Sequence, residues 1–312
     1  MFGYIIKRLL WIIPVLIGVS LILFGIMQMI PGDPASVLLG PKASQEAVET
    51  LNKRFGLEEP LHIQYYLLMK NFVTGRLESI YYKVEVIEII SQKLRATVEL
   101  GLTALVIAVV LAIPIGILAA VKKNSVFDYF SMMLATLGIS IPVFFTGILL
   151  IYIFSVIFNV LPSSGYGGPL WTKEGWAHLI LPAFSLSSIL IASTSRLTRS
   201  SMLEVLQEDF IRTARAKGVK EAVVVNKHAF KNAMIPVITN IGNQLAMLFG
   251  GAILTETVFA WPGIGRLAVK AVSYRDQPLV FGTILVLSFL YVVTNLIIDI
   301  LYVFINPQIS YS

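Results

Sequence analysis

Six apolar runs, at roughly 9–30, 97–121, 130–158, 179–195, 234–257 and 280–304, dominate the chain. About 20 apolar residues in a helix cross the hydrocarbon core of a bilayer, and lipid offers no partner to an open backbone N–H or C=O. Runs of this length therefore fold as helices. The expected fold is an all-α integral membrane protein with six transmembrane helices. Composition agrees: of 312 residues, 56% are apolar and 13% charged, too few charges to cover a soluble surface. The fourth run, "LILPAFSLSSILIASTSR", is the least apolar, being short and rich in Ser and Thr. Pro142, in "GISIPVFFTG", is expected to kink the third.

The first run follows Lys7 and Arg8, as the core of a signal peptide would. Its apolar stretch is longer than such a core and ends in "MIPGDPA", without a small-x-small cleavage site, so it is expected to be a retained span. With the N-terminus inside, the inner segments hold Lys7, Arg8, Lys122, Lys123 and eight more cations between 196 and 231. The short outer loops hold Lys173, Arg266, Lys270 and Arg275. This asymmetry predicts that both termini are cytoplasmic. The net charge of +6 is thus read as topology control with contact to anionic lipid, and nucleic acid is not an expected partner. There is no cysteine, which excludes disulfides and thiolate sites.

Three regions follow: an N-terminal transmembrane helix at 1–30, a folded extracytoplasmic loop at 31–96, and a five-helix core at 97–305. In the loop, Val48, Leu51 and Phe55 share a helical face that Gly56 ends. Leu61, Tyr65, Leu68 and Phe72 share another, opened by Pro60 and ended by Gly75. Packing of both helices on the membrane domain is expected before any ligand role.

Segment 196–235 is the substantial inner loop. Asp209 is expected to cap a helix that Gly218 terminates. Phe210, Ala214 and Gly218, at i, i+4 and i+8, give a narrow stripe of one aromatic and then almost no bulk. Arg212, Thr213, Arg215, Ala216 and Lys217 complete the exposed segment. A second amphipathic helix is expected to run to Asn232, with Pro236 opening the fifth span. Lipid contact alone accounts for the charge. A small-residue face led by one large anchor fits a docked protein partner better.

The stretch "EDFIRTARAKG…HAFKNAMIPV" resembles the cytoplasmic loop of permease subunits of ATP-binding-cassette importers, and within them the group that imports dipeptides, oligopeptides and nickel. The first span, "LRATVELGLTALVIAVVLAIPIGILAAV" and "ETVFAWPGIGRLAVKAVSYRDQPLV" are similar to that family too, so the likeness covers nearly the whole chain. It resembles the first of the two permease types these systems pair. One departure is "TGRLESIYY", where the family has something closer to Gly-Asp-Leu-Gly-x-Ser. The resemblance implies a two-helix coupling loop in which Asp209, Phe210, Arg212, Thr213, Ala214, Arg215, Ala216, Lys217 and Gly218 meet an ATPase. It also implies a second permease, two cytoplasmic ATPase subunits and an extracytoplasmic solute-binding protein, in a bacterial or archaeal plasma membrane.

No Gly-x-x-x-x-Gly-Lys-Ser/Thr loop occurs, so ATP and Mg are expected on the partner ATPases and no cofactor on this chain. His62, His178 and His228 are scattered without metal-ligand spacing. Mid-span ionisable residues are nearly lacking: Glu99, Glu256 and Asp299 fall near span ends, which speaks against a proton-coupled carrier. Asn240, Asn243 and Gln244 in the fifth run, with Ser187 and Ser188 in the fourth, have two readings: a polar translocation path, or hydrogen bonds between helices. The "WPGIGR" turn, with a tight glycine backbone, has two readings: an interfacial anchor for the last outer loop, or an outer gate. Peptide import by alternating access is the leading expectation. A nickel importer, a secondary carrier or channel, and a non-transporting scaffold are the alternatives.

Overall fold

The computed structural model describes residues 2–29 and 44–305. They are mostly helical, and among them the extended contacts reduce to one bridge, Glu78 to Glu85. In chain order the elements are α1 (Phe2–Met29), α2 (Gln45–Phe55), α3 (Leu61–Val73), α4 (Val86–Val121), α5 (Val126–Ser140) and α6 (Val143–Leu150), which continues as a π segment over Ile151–Ile157. Then come α7 (Lys173–Val205), α8 (Asp209–Ala216), α9 (Glu221–Val223), a π segment Val224–Ala229 running into α10 (Phe230–Val258), α11 (Ile264–Ser273) and α12 (Gln277–Ile305).

Arg8–Met29, Val86–Val121, Lys173–Val205 and Gln277–Ile298 are each long and apolar enough to cross a membrane. The third expected run is not one kinked helix. Pro142 caps α6, and α5 meets the α6 run at 109°. Proline disfavours helical backbone at the residue before it, and Ile141 is accordingly extended, so the helix ends there and restarts. Taken as one broken span, the pair makes a fifth crossing. α10 covers the fifth expected run. It begins earlier than expected, because the helical chain continues from Glu221 and Pro236 lies inside α10.

The chain divides into two compact units. One draws on the chain up to Thr97 and on Pro262–Val293; the other draws on Val98–Trp261 and the chain from Thr294. In the first, α1, α3, the start of α4, α11 and the start of α12 enclose a core of Met27, Leu77, Val86, Ile90, Ile264, Leu267, Leu279 and Phe281. The two loop helices form where the sequence places them. Ser44 caps α2 through the Ala47 N–H, and Gly56 closes it at φ +65°. Tyr65 of α3 hydrogen-bonds Ser20 of α1 at 2.8 Å, and Phe72 meets Phe281 edge-on.

In the second unit α7 is central. Of its apolar window 56% is buried, against 11% for α1. Its neighbours come close because glycines face it. A Cβ at Gly116 of α4 would lie 2.5 Å from Thr198 Cβ, and one at Gly138 of α5 would lie 3.1 Å from Ala192 Cβ. Small residues at such contacts let helix backbones pack where lipid supplies no hydrophobic drive. The hydroxyls that lower the hydropathy of this run are absorbed within it: Ser187 donates to Phe184 O and Thr198 to Thr194 O.

Candidate functional site

α8 is a polar helix with one large aliphatic residue, Ile211, and that residue seats it. Ile211 is fully buried among Ala120, Met202, Val224, Val225, Ala229 and Ala233, which come from the ends of α4 and α7 and the start of the α9–α10 run. Ala214, one turn on, and Val219 pack at the margin of the same cluster. The helix stops in a Schellman arrangement: the Gly218 N–H donates to Arg215 O at 2.9 Å and the Val219 N–H to Ala214 O at 3.3 Å. Gly218 takes φ +76°, which only glycine adopts without strain, and no atom lies within 4 Å of where its Cβ would be.

This geometry changes the expected stripe. Ala214 turns partly inward beside Ile211, and the chain leaves the helix before Gly218. Phe210, 43% exposed, stands with Arg212, Thr213, Ala216, Lys217 and Gly218 on the open side. Asp209 is not the cap. Glu208 occupies that position without a side-chain cap bond, and Asp209 begins the helix, with the Arg212 guanidinium 3.6 Å away. Both are well exposed, so this pair adds little. Arg215 reaches across the turn to Glu221 with Nε to Oε2 at 3.1 Å and Nη2 to Oε1 at 2.6 Å. This fork holds the Glu221 carboxyl below its ordinary range and closes the loop between α8 and α9.

Sequence reasoning missed Ile211, Glu221, Asp128 and Arg199. The signal for Ile211 was present: it is the large aliphatic position of "DFIRTARA" three residues before Ala214. The Asp128–Arg199 pair, 71 residues apart, left no such sign.

The amides and hydroxyls separate by burial. Gln244 is buried, accepting from Thr194 Oγ1 at 3.2 Å and donating to Ser193 Oγ at 2.6 Å, so it joins α10 to α7. Asn240 is half-buried and Asn243 exposed. Ser187 is buried and bonded within its own helix; Ser188, half-buried, donates to Ser185 O. The structure brings Gln244 to α7, and it does not gather Asn240, Asn243, Ser187 and Ser188 into one hydrogen-bonded set.

The "WPGIGR" turn differs from the first of its two readings. Trp261 is buried, edge-on to Tyr166 at 5.0 Å, and the Tyr166 hydroxyl donates to Glu99. The turn is made at Ala260, φ +51°, while Gly263 is extended and Ile264 already begins α11. Glu99 and Glu256, expected near span ends, are both enclosed by protein.

Residues 112–311 match the family described as the binding-protein-dependent transport system inner membrane component, and residues 1–101 match its N-terminal region. The chain belongs to this family. It is an importer permease of the ATP-binding-cassette class, a transport component that carries no ATPase site of its own. Among its relatives, the dipeptide transport system permease protein DppB of Alkalihalophilus pseudofirmus is 44% identical over the full length of both chains. The glutathione transport system permease protein GsiC of Escherichia coli O6:H1 is 43% identical, again over both full lengths. Among solved structures, the MetNI methionine ABC transporter in inward-facing conformations matches with a TM-score of 0.56 at 17% identity, covering 70% of the permease and 96% of that chain. An amino acid ABC transporter solved with histidines matches at 0.51 and 18% identity, covering 72% and 95%. At those identities the structural likeness speaks for the fold.

Proposed function

We propose that this permease carries di- or oligopeptides inward by alternating access, driven by separate ATPases that dock on α8. The observation that carries the cargo is the full-length identity to two permeases named for peptide cargo, a dipeptide and glutathione. Neither name supports the nickel alternative. In this reading the chain crosses the membrane six times, with α10 and the broken α5–α6 pair among the crossings and both termini cytoplasmic. A second, similar permease completes the path. Two cytoplasmic ATPases hold ATP and Mg, and an extracytoplasmic solute-binding protein delivers the cargo.

The docking surface is the open side of α8: Phe210, Arg212, Thr213, Ala216, Lys217 and Gly218, with Asp209 at its start. Arg215 and Ala214 support it from behind, one through Glu221 and the other through the Ile211 cluster. Its small residues admit a close partner, and Phe210 supplies an anchor at its edge. Ile211 ties that surface to α4, α7 and α10 together, so a push on α8 reaches three helices at once. Asn240, Asn243 and Ser188, which are not fully enclosed, are the proposed path-facing residues; Gln244 and Ser187 belong to the packing between and within helices.

The test begins with gentle purification of the tagged permease from its own membranes. The expected companions are an ATPase with a phosphate loop and a second permease. The associated binding protein is then titrated with dipeptides, glutathione and Ni²⁺. Peptide binding is the expected result; Ni²⁺ binding without peptide binding overturns the cargo. Gly218→Glu is expected to cost at least about tenfold in ATPase retention, because it places bulk and negative charge on an empty, close-approach surface. Full retention with normal uptake would remove α8 as the docking element.

A further inference from the structure

We infer that Asp128 and Arg199 are a positioning pair that carries movement of the docking segment into the broken span α5–α6. The inference rests on α8 being the segment on which the ATPases dock. Asp128 lies in the first turn of α5, its side chain 1% exposed. Arg199 of α7 grips it with both prongs, Nε to Oδ1 at 2.5 Å and Nη2 to Oδ2 at 2.7 Å. Oδ2 also accepts the N–H of Asn124, which stands at φ +63° in the turn between α4 and α5. The Asp128 N–H in turn donates to Ser125 Oγ. One carboxylate therefore fixes the α4–α5 turn, the start of α5 and the last part of α7 to one another.

The position of Arg199 on α7 gives the pair its role. Met202, three residues on, is fully buried in the cluster that seats Ile211 of α8. Thr198, its neighbour on the other side, is pressed against Gly116 of α4. The last turns of α7 thus hold the docking helix, α4 and the start of α5 within a few residues. Farther along α7, Ser185 Oγ donates to Val143 O at 2.9 Å, at the start of α6. The broken span is accordingly fastened to one continuous helix on both sides of its 109° bend, at Asp128 before it and at Val143 after it. A displacement of the α7 end by α8 must move the start of α5, while α6 stays held at Ser185.

With the Asp128 carboxylate enclosed and the Arg199 side chain 25% exposed, desolvation of the carboxylate offsets much of the attraction, so the pair is a poor device for stability; fixing the register of two elements is the best-attested use of such a pair. The bidentate fork sets both distance and rotation, which a point charge does not. The pair's signature is therefore in coupling: uptake achieved per ATP hydrolysed.

The experiment uses the complete transporter in proteoliposomes, with uptake and ATP hydrolysis read in the same vesicles. In Asp128→Asn and Arg199→Gln, the ATPases are expected to remain bound and to hydrolyse ATP within about twofold of the parent, while uptake per ATP falls about tenfold. Arg199→Lys, which keeps the charge and loses the fork, is expected to fall between. The exchange Asp128→Arg with Arg199→Asp is expected to recover part of the lost ratio. Uptake per ATP unchanged in the lysine variant and either neutral variant overturns the inference. So does loss of the bound ATPases from a folded lysine variant, which would place the pair in docking. Where the neutral variants fail to assemble, the lysine variant alone decides by its ratio. Failure of the docking reading itself shows separately, as ATPase retention in Gly218→Glu.

Discussion

Asp276 is fully buried and accepts four donors: the Ser79 hydroxyl and the N–H groups of Ile80, Tyr81 and Leu279. It caps α12 and at the same time ties down the turn after α3, the stretch where "TGRLESIYY" departs from the family pattern. The Tyr81 and Tyr274 rings, stacked at 4.0 Å, follow from that tie. Asp276→Ala leaves several buried donors without an acceptor and is expected to cost about 3 kcal/mol or more. Thermal unfolding in detergent checks it, with Asp276→Asn expected to lose less. A second contrast separates the amides of α10. Gln244→Leu is expected to lower stability by roughly 1–3 kcal/mol, because Ser193 and Thr194 lose a buried partner. Asn243→Leu, on an exposed position, is expected to leave stability within about 0.5 kcal/mol and to lower uptake. Unfolding curves and uptake on the same preparations distinguish them; the reverse assignment would put Gln244 in the path.

α7 shows how an element can be least apolar and most central. Hydropathy ranks it last because it carries seven Ser or Thr residues between 185 and 198. Those hydroxyls are spent on its own carbonyls, on Val143 and on Gln244, and the glycines opposite let α4, α5 and α6 close on it. Gly116→Ala is expected to destabilise by roughly 1–3 kcal/mol, since the new methyl meets Thr198 and the Ser195 carbonyl. Gly25→Ala on α1, with nothing within 4 Å, is expected to show no loss. Differential thermal melts of the two variants test this, and equal melts would mean that α4 and α7 do not approach as closely as Gly116 permits. α5 and α6 carry the other lesson at this scale. Pro142 was legible as a disturbance, but whether it kinks a helix or ends one depends on the neighbours that satisfy the freed carbonyls and fill the corner.

For the whole molecule, the orientation deduced from Lys and Arg can be read directly, because the chain has no cysteine of its own. In intact cells or right-side-out vesicles, a single cysteine at Tyr274 is expected to react with an impermeant thiol reagent. One at Lys217 is expected to react only after permeabilisation. Lys217 is exposed and Tyr274 is partly exposed. Labelling of Lys217→Cys from outside would invert the topology and with it the docking proposal.

The apolar runs alone settled that this chain is helical and membrane-embedded, since lipid admits few backbone solutions for them. The glycine and proline punctuation placed α2, α3 and the end of α8, because those signals are local. The "EDFIRTARAKG" stretch pointed to the transporter family. Only the tertiary structure decided which face of each helix turns inward: that Ile211 seats α8, that Gln244 is a tie between helices, and that Asp128 meets Arg199. Those outcomes join residues tens of positions apart, and neither periodicity nor spacing along one chain records which helices will be neighbours.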